Sequence, residues 1–199
     1  AIRLTLNWAM TFYGIKKTQD WRYVMLKQKN PKWYFFINLF GINLMPTLLV
    51  YLGTVPFYYV IFFNSSINAF TVLGLIIMLG ATLLELVADI QMHNFRKTNK
   101  DKTKVMDQGL WAFSRHPNYL GEVSFWWGVF VFAFSNLKMP LYCIIGALGI
   151  TLLFLFISIP MIENKMVSSR PAYIEYKKRV SMLLILPSKK VVEEQVEVQ

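Results

Sequence analysis

"FINLFGINLMPTLLVYLGTVPFYYVIFF", residues 36–63, carries no charged side chain over a run long enough to cross a bilayer. A hydrocarbon core takes roughly 20 residues of apolar helix, and a soluble surface helix needs an apolar stripe rather than an apolar circumference. Outward from this run the pattern repeats. Residues 69–84 continue it and end in Glu85, and 141–162 ("LYCIIGALGITLLFLFISIPMI") match it. The shorter 123–137 ("VSFWWGVFVFAFSNL") extends back through Leu120, and the opening "AIRLTLNWAMTFYGI" reads as the tail of another span. The expected fold is all-α: a polytopic transmembrane helical bundle with about five membrane segments, near 1–14, 34–63, 69–95, 120–137 and 140–163. Pro46 and Pro56 bend the second of these, and neighbouring helices satisfy the freed carbonyls.

The net charge of +10 would fit a nucleic-acid partner if it formed one face. Its placement says otherwise. Lys16, Lys17, Arg22, Lys27, Lys29 and Lys32 precede the second span. Arg96, Lys97, Lys100, Lys102, Lys104 and Arg115 follow the third, and Lys165, Arg170, Lys177, Lys178, Arg179, Lys189 and Lys190 follow the fifth. Of the 21 lysines and arginines, only Arg3 and Lys138 fall elsewhere. Cations on alternate loops report a topology with the basic loops on the cytoplasmic-equivalent side, so the expected partner is the lipid bilayer and not nucleic acid. An endoplasmic reticulum, mitochondrial inner or bacterial inner membrane fits equally. Cys143, alone of its kind, excludes an internal disulfide and reads as a buried small hydrophobe. The chain opens at Ala1 with no signal-peptide pattern, and is read as truncated at its N-terminus.

"RKTNKDKTKVMDQG" (96–109) is a polar loop. After Glu163 the chain is expected to leave the membrane, with Pro171 starting a helix. Through 172–184, Tyr173, Tyr176, Val180, Leu183 and Leu184 keep helical spacing while Lys177, Lys178 and Arg179 face away, which predicts a C-terminal amphipathic helix lying on the basic side. Residues 1–187 form one membrane-embedded domain in this reading, and 188–199 a polar tail.

Chemistry concentrates at the basic ends of the spans. Four of the eleven acids, Glu85, Asp89, Glu122 and Glu163, sit in or at the ends of apolar runs, where an unpaired charge costs roughly 2.5–3.5 kcal/mol on insertion scales. Glu85, Asp89, His93 and Arg96 fall within about an 80° arc of one helix. Opposite them stands "LWAFSRHPNYLGE" (110–122), bracketed by Gly109 and Gly121. Its Pro117 removes an amide and disfavours helix at His116, so the segment reads as a bent entry into the fourth span. A guanidinium, an imidazole, a carboxamide and a phenol on such a bend suit a polyanionic cofactor: Arg115 forks onto phosphate while Asn118 and Tyr119 offer hydrogen bonds. Other chemistries fail on counts. Two histidines build neither a histidine-rich di-iron site nor an HExxH zinc pair, and no metal site is expected. No GxGxxG or GxxxxGK[ST] loop occurs. Ser114–Arg115–His116 has no nearby acid in sequence to orient the histidine, which argues against a nucleophilic serine.

Three stretches carry a resemblance: "LELVADIQMHNF" (84–95), "GLWAFSRHPNYLGEVSFWWG" (109–128) and "PMIENKMVSSRPAYIEYKKRVSMLLILP" (160–187). They resemble the steroid 5-alpha-reductase-like membrane proteins, and most nearly the branch carrying ExxxADxQ and GLWxxSRHPNYxGE. "TQDWRY" (18–23) is similar to a further loop of that branch. The resemblance implies NADPH held between membrane helices on the basic side, and hydride transfer to a carbon–carbon double bond conjugated to a carbonyl in a lipophilic, steroid-like or isoprenoid substrate. It places Glu85, Asp89 and Arg96 on the cofactor-contacting helix face and Asn118 and Glu122 on the facing helix. Glu163, Arg170, Tyr173 and Tyr176 become the C-terminal cover. Arg115 and His116 belong to the RHPNY branch. The chain departs at Met92, where that branch carries lysine, and at Gln19, where it carries glutamate. The earlier helices that supply the steroid enzymes' carbonyl-polarising Glu/Tyr pair are absent or truncated.

Two other functions fit parts of the pattern. Residues 109–121 and 163–176 are also similar to the isoprenylcysteine carboxyl and phospholipid methyltransferases, which implies S-adenosylmethionine as cofactor; ExxxADxQ separates the two. The shortened N-terminus, Met92 and Gln19 fit a non-catalytic subunit that keeps the fold inside a larger membrane complex with partner subunits.

Overall fold

The computed structural model describes Thr5 and residues 20–63, 66–136 and 139–189. The segment expected at 1–14 lies outside these except for Thr5, as does the tail from 190 onward. Among the described residues the chain is helical without strands, save for one isolated bridge between Ser114 and Ser181. In chain order the helices are α1 (Trp21–Lys29), α2 (Tyr34–Phe62), α3 (Ala69–Thr98), α4 (Pro117–Ala133), α5 (Leu141–Ser169) and α6 (Tyr173–Arg179). Of these, α2, α3 and α5 are long and apolar enough to cross a membrane. Their outer faces expose Leu48, Ile61, Ile76, Leu79, Leu83 and Phe156, which suits lipid rather than water. The chain is a helical membrane protein.

It divides into two compact units, residues 1–51 and 52–199. In the first, Asp20 caps α1 by accepting from the Arg22 amide at 2.9 Å and pairs with the Arg22 guanidinium at 2.6 Å, while Lys27 and Lys29 complement the dipole at the other end. The start of α2 is wound as a π-helix over Ile37–Leu44, and α5 has a second such stretch at Phe154–Ser158. Each stops two residues short of a proline, Pro46 and Pro160. A proline offers no N–H and its ring crowds the carbonyl four residues back, here Ile42 and Phe156. Widening the preceding turn is one way to relieve that crowding.

In the second unit α3 carries a capping box. The Asn68 side chain accepts from the amides of Phe70 and Thr71, and Thr71 Oγ1 accepts from the Asn68 amide at 3.1 Å. Its small buried residues Gly74, Ala81 and Ala88 recur every seventh position; α4 lies on the first two, and Met106 and Trp111 cover the third. The approach of α4 is close: a Cβ on Gly121 would stand 2.8 Å from both the Ala81 carbonyl oxygen and Glu85 Cβ. Small residues let membrane helices meet by dispersion contact where no hydrophobic drive exists. At the far end Asn136 ties the loop after α4 to α2 by donating to the carbonyls of Tyr59 and Phe63 at 2.8 and 2.7 Å.

The C-terminal helix is shorter than its spacing predicts. It ends at Arg179 rather than Leu184, because the following backbone pairs with the bend before α4. The Arg115 amide donates to the Ser181 carbonyl at 2.9 Å, and the Leu186 amide to that of Phe113 at 3.2 Å. A backbone committed to a distant partner cannot also close helical turns.

Candidate functional site

Residues 109–116 are shaped by α3. Gly109 holds φ +60, where a Cβ would lie 2.7 Å from the Gln91 carboxamide; left-handed backbone and lack of room both demand glycine. Gln91 Oε1 then accepts from the Leu110 amide at 3.0 Å, and the buried Trp111 indole donates to the Ala88 carbonyl at 3.2 Å. The "ADIQ" and "GLW" stretches are thus two halves of one joint. After this short 3-10 turn Pro117 opens α4 at a position whose missing amide leaves nothing unpaired.

The joint leads into a buried ion cluster. Glu163, 3% exposed, accepts from Arg115 Nε at 2.7 Å through Oε1, which also lies 3.2 Å from His116 Nε2. Its Oε2 is 2.8 Å from Lys177 Nζ. Arg115 Nη1 donates to the carbonyls of Lys177 and Val180 at 2.6 and 2.9 Å. Ser114 Oγ donates to the Leu183 carbonyl at 2.7 Å, and the Tyr176 hydroxyl to that of Trp111 at 2.6 Å. Burial pushes the phenols of Tyr173 and Tyr176 well above the ordinary tyrosine range.

Three sequence expectations change here. His116 does have an orienting acid, Glu163, supplied by tertiary contact and invisible in local spacing. Because a carboxylate only accepts, Nε2 carries the proton. Arg115 is a tether to the C-terminal segment in this structure, with Nε and Nη1 engaged by the protein itself, rather than an open fork for phosphate. Lys177 turns inward to Glu163 instead of facing away. The sequence alone assigns no binding or tethering role to Gln91, Ser114, Trp111 or Lys177. Only Gln91 had a signal, as the last residue of ADxQ.

The other expected residues lie on α3, on α4 and just after α5. Glu85 and Asp89 lie half-buried along α3, Glu85 at the crossing with Gly121. Arg96, about two turns beyond Asp89, is within electrostatic reach of both Asp89 and Arg170. Arg170 is steadied by donating from Nε to the Lys102 carbonyl at 2.9 Å and from Nη1 to Met166 Sδ at 3.0 Å. On α4, Glu122 accepts from the Trp126 indole at 2.9 Å. One turn before it, Asn118 Oδ1 is buried with no hydrogen-bond partner among the described residues, as is Ser135 Oγ just past the far end of α4. Tyr119 stacks on His116 at 5.3 Å between ring centroids and packs on Phe154 at 4.7 Å. Among the described residues no group of three or more His, Cys, Asp or Glu side chains is placed to hold a metal.

A family model described as "Protein of unknown function (DUF1295)" matches residues 1–180. The chain belongs to the DUF1295 family. It is also similar, at 26% identity over 173 residues, to "Uncharacterized protein C594.04c" of Schizosaccharomyces pombe, an alignment covering 74% of this chain and 50% of that protein. The DUF1295 chain therefore spans about half the length of that curated relative. No solved structure matches it.

Proposed function

We propose that this DUF1295 chain is an NADPH-dependent membrane oxidoreductase that reduces a carbon–carbon double bond conjugated to a carbonyl in a lipophilic, steroid-like or isoprenoid substrate. The observation that carries the reading is Asn118 Oδ1, a buried acceptor without a donor. Such an atom costs about 1–3 kcal/mol until something supplies an N–H or O–H. It sits one turn from Glu122 on the helix that crosses α3 at Glu85. A cofactor amide or hydroxyl would complete it.

The expected contacts divide by what each side chain already touches. Arg96 and Arg170, two guanidiniums held within each other's field, would take phosphate, since an anion between them relieves their repulsion. Glu85, Asp89 and Glu122 would accept from ribose hydroxyls or the cofactor amide, Glu122 already oriented by Trp126. Arg115, His116, Glu163, Tyr173 and Tyr176 would hold the wall in place through their mutual contacts. Tyr119 would line it, its ring fixed by His116 and Phe154. Bound NADPH supplies a hydride; the chain binds, orients and excludes water. In this reading residues 117–133 also cross the membrane, the opening segment makes a fifth crossing, and the basic loops share the cytoplasmic-equivalent side. The face of α6 opposite Tyr173 and Tyr176 would then lie toward water.

A second reading, S-adenosylmethionine-dependent methyl transfer, draws support from the direct Arg115–Glu163 contact, which joins the two stretches that resemble the methyltransferases. One titration separates them. The purified chain in nanodiscs is melted with NADPH or with S-adenosylmethionine. The reductase reading expects stabilisation by NADPH, weakened about tenfold or more in apparent affinity by Asn118→Ala and by Arg96→Ala, each loss equivalent to roughly 1.4 kcal/mol or more. Stabilisation by S-adenosylmethionine alone would reverse the order, and no response to either would leave a non-catalytic membrane subunit.

A further inference from the structure

Residues 179–189 form a closed loop. The Lys189 amide donates to the Arg179 carbonyl at 2.9 Å, so the two ends meet. One flank is tied to the bend before α4 through the Leu186 amide to the Phe113 carbonyl and Ser114 Oγ to the Leu183 carbonyl. Between the ties the loop turns apolar side chains outward: Met182, Leu184, Ile185 and Leu186 are 36%, 58%, 43% and 49% exposed, and Phe113 beside them is 44% exposed. Around the neck stand Lys178, Arg179 and Lys189, with Lys177 on the buried Glu163. Lys178 pairs with Glu175 at 2.8 Å, and Arg179 lies 3.6 Å from Asp107.

We propose that this loop is a bilayer-inserting element whose apolar tip enters the interface while its cationic neck binds anionic lipid headgroups. Three features fit. The loop hangs on Phe113–Ser114, three residues before α4 begins and beside the Arg115–Glu163 anchor near the end of α5, so it sits at an end of the apolar helices. Its tip is apolar over Leu184, Ile185 and Leu186 without interruption, a run that water penalises and acyl chains accept. Its neck keeps an excess of positive charge, complementary to an anionic leaflet and opposed to a basic partner. The closed backbone presents both without the ordering entropy a free tail would lose. This inference does not depend on the reductase reading, because the apolar tip and Lys178, Arg179 and Lys189 have no role in it.

The test places an environment-sensitive fluorophore at Ile185→Cys in a Cys143→Ala background, with the full chain reconstituted in phosphatidylcholine bilayers with or without phosphatidylserine. The expected result is a blue-shifted emission quenched by spin-labelled lipid. Phosphatidylserine strengthens it, and Lys178→Glu with Lys189→Glu lowers the inserted-to-withdrawn ratio by roughly fivefold per cation removed. High salt weakens the phosphatidylserine effect. A water-like emission in both bilayers overturns the proposal. So does a shift that ignores lipid charge and the two substitutions, or one that tracks protein-to-lipid ratio and so reports contact between copies.

Discussion

Replacing Glu163 by glutamine leaves the Arg115 guanidinium, whose side chain is 8% exposed, without the carboxylate on which its Nε rests at 2.7 Å. Water reaches neither partner well enough to compensate. Breaking a buried pair from one side costs about 3–5 kcal/mol, whereas the contact to Lys177, whose side chain is 45% exposed, contributes at most about 1 kcal/mol after screening. The two values order the variants: Glu163→Gln loses several times what Lys177→Ala loses. The damage is also local in kind. With Arg115 released, its bonds to the Lys177 and Val180 carbonyls loosen, and the C-terminal segment detaches from the bend. Unfolding of purified protein in mixed micelles, followed by tryptophan fluorescence, reads the first effect, and limited proteolysis after residue 176 reads the second. A cycle of Arg115→Met and Glu163→Leu completes the argument, because removing both charges restores an apolar contact. Each single variant is expected to lose more than the pair, with a coupling of up to about 3 kcal/mol. A Glu163→Gln loss below about 1 kcal/mol, or strictly additive singles, would refute the claim that this cluster fastens the C-terminus.

Gly121→Ala places a methyl 2.8 Å from the Ala81 carbonyl oxygen; the backbone must give, so a loss of about 1–3 kcal/mol and a lowered Tm are expected. Gln91→Leu removes the acceptor of the Leu110 amide. It should cost about 1–3 kcal/mol and raise amide exchange at 110–113, where Gln91→Glu, which keeps an acceptor, perturbs exchange less. Tyr176→Phe strips the 2.6 Å donor from the Trp111 carbonyl, with a similar loss near neutral pH. Because the folded state holds the Tyr173 and Tyr176 phenols above the ordinary value of 10.0, both states keep these protons below that pH and neither group contributes pH dependence there. Above it the unfolded chain releases protons first, so stability falls as pH rises. A Tyr173→Phe, Tyr176→Phe variant should show a shallower alkaline decline than the parent.

Much of the architecture was legible because lipid imposes one rule on every turn. The apolar runs expected at 34–63, 69–95 and 140–163 meet helices at Tyr34–Phe62, Ala69–Thr98 and Leu141–Ser169. The second and third of these helices overrun at their C-terminal ends, in α3 because Arg96 and Lys97 favour the C-terminal dipole. What local pattern could not supply was any bond between distant segments. Spacing made 172–184 one amphipathic helix, yet Ser181, Leu183 and Leu186 belong to residues 113–115, and those partners stopped it at Arg179. The π-helical turns before Pro46 and Pro160 follow from proline chemistry but require knowing that the helix persists through the proline.

The same distinction separates structure from chemistry within the candidate site. Arg115 and His116 are polar groups that apolar surroundings do not tolerate unpaired, and the fold answers with Glu163, Lys177 and two carbonyls. Their cost is met inside the chain, so they need no ligand to explain them. Asn118 is different in kind. It lies in the first turn of α4, one helical turn from Glu122, and its Oδ1 is buried. Among the described residues nothing donates to it. Ser135 Oγ is the other buried polar atom without a partner among the described residues, and it lies just past the far end of α4; Asn118 is the one that the proposed cofactor amide or hydroxyl would complete. The contrast assigns Arg115 and His116 to fastening the C-terminal segment and leaves Asn118, one turn from Glu122 on α4, as the group that a bound donor would complete.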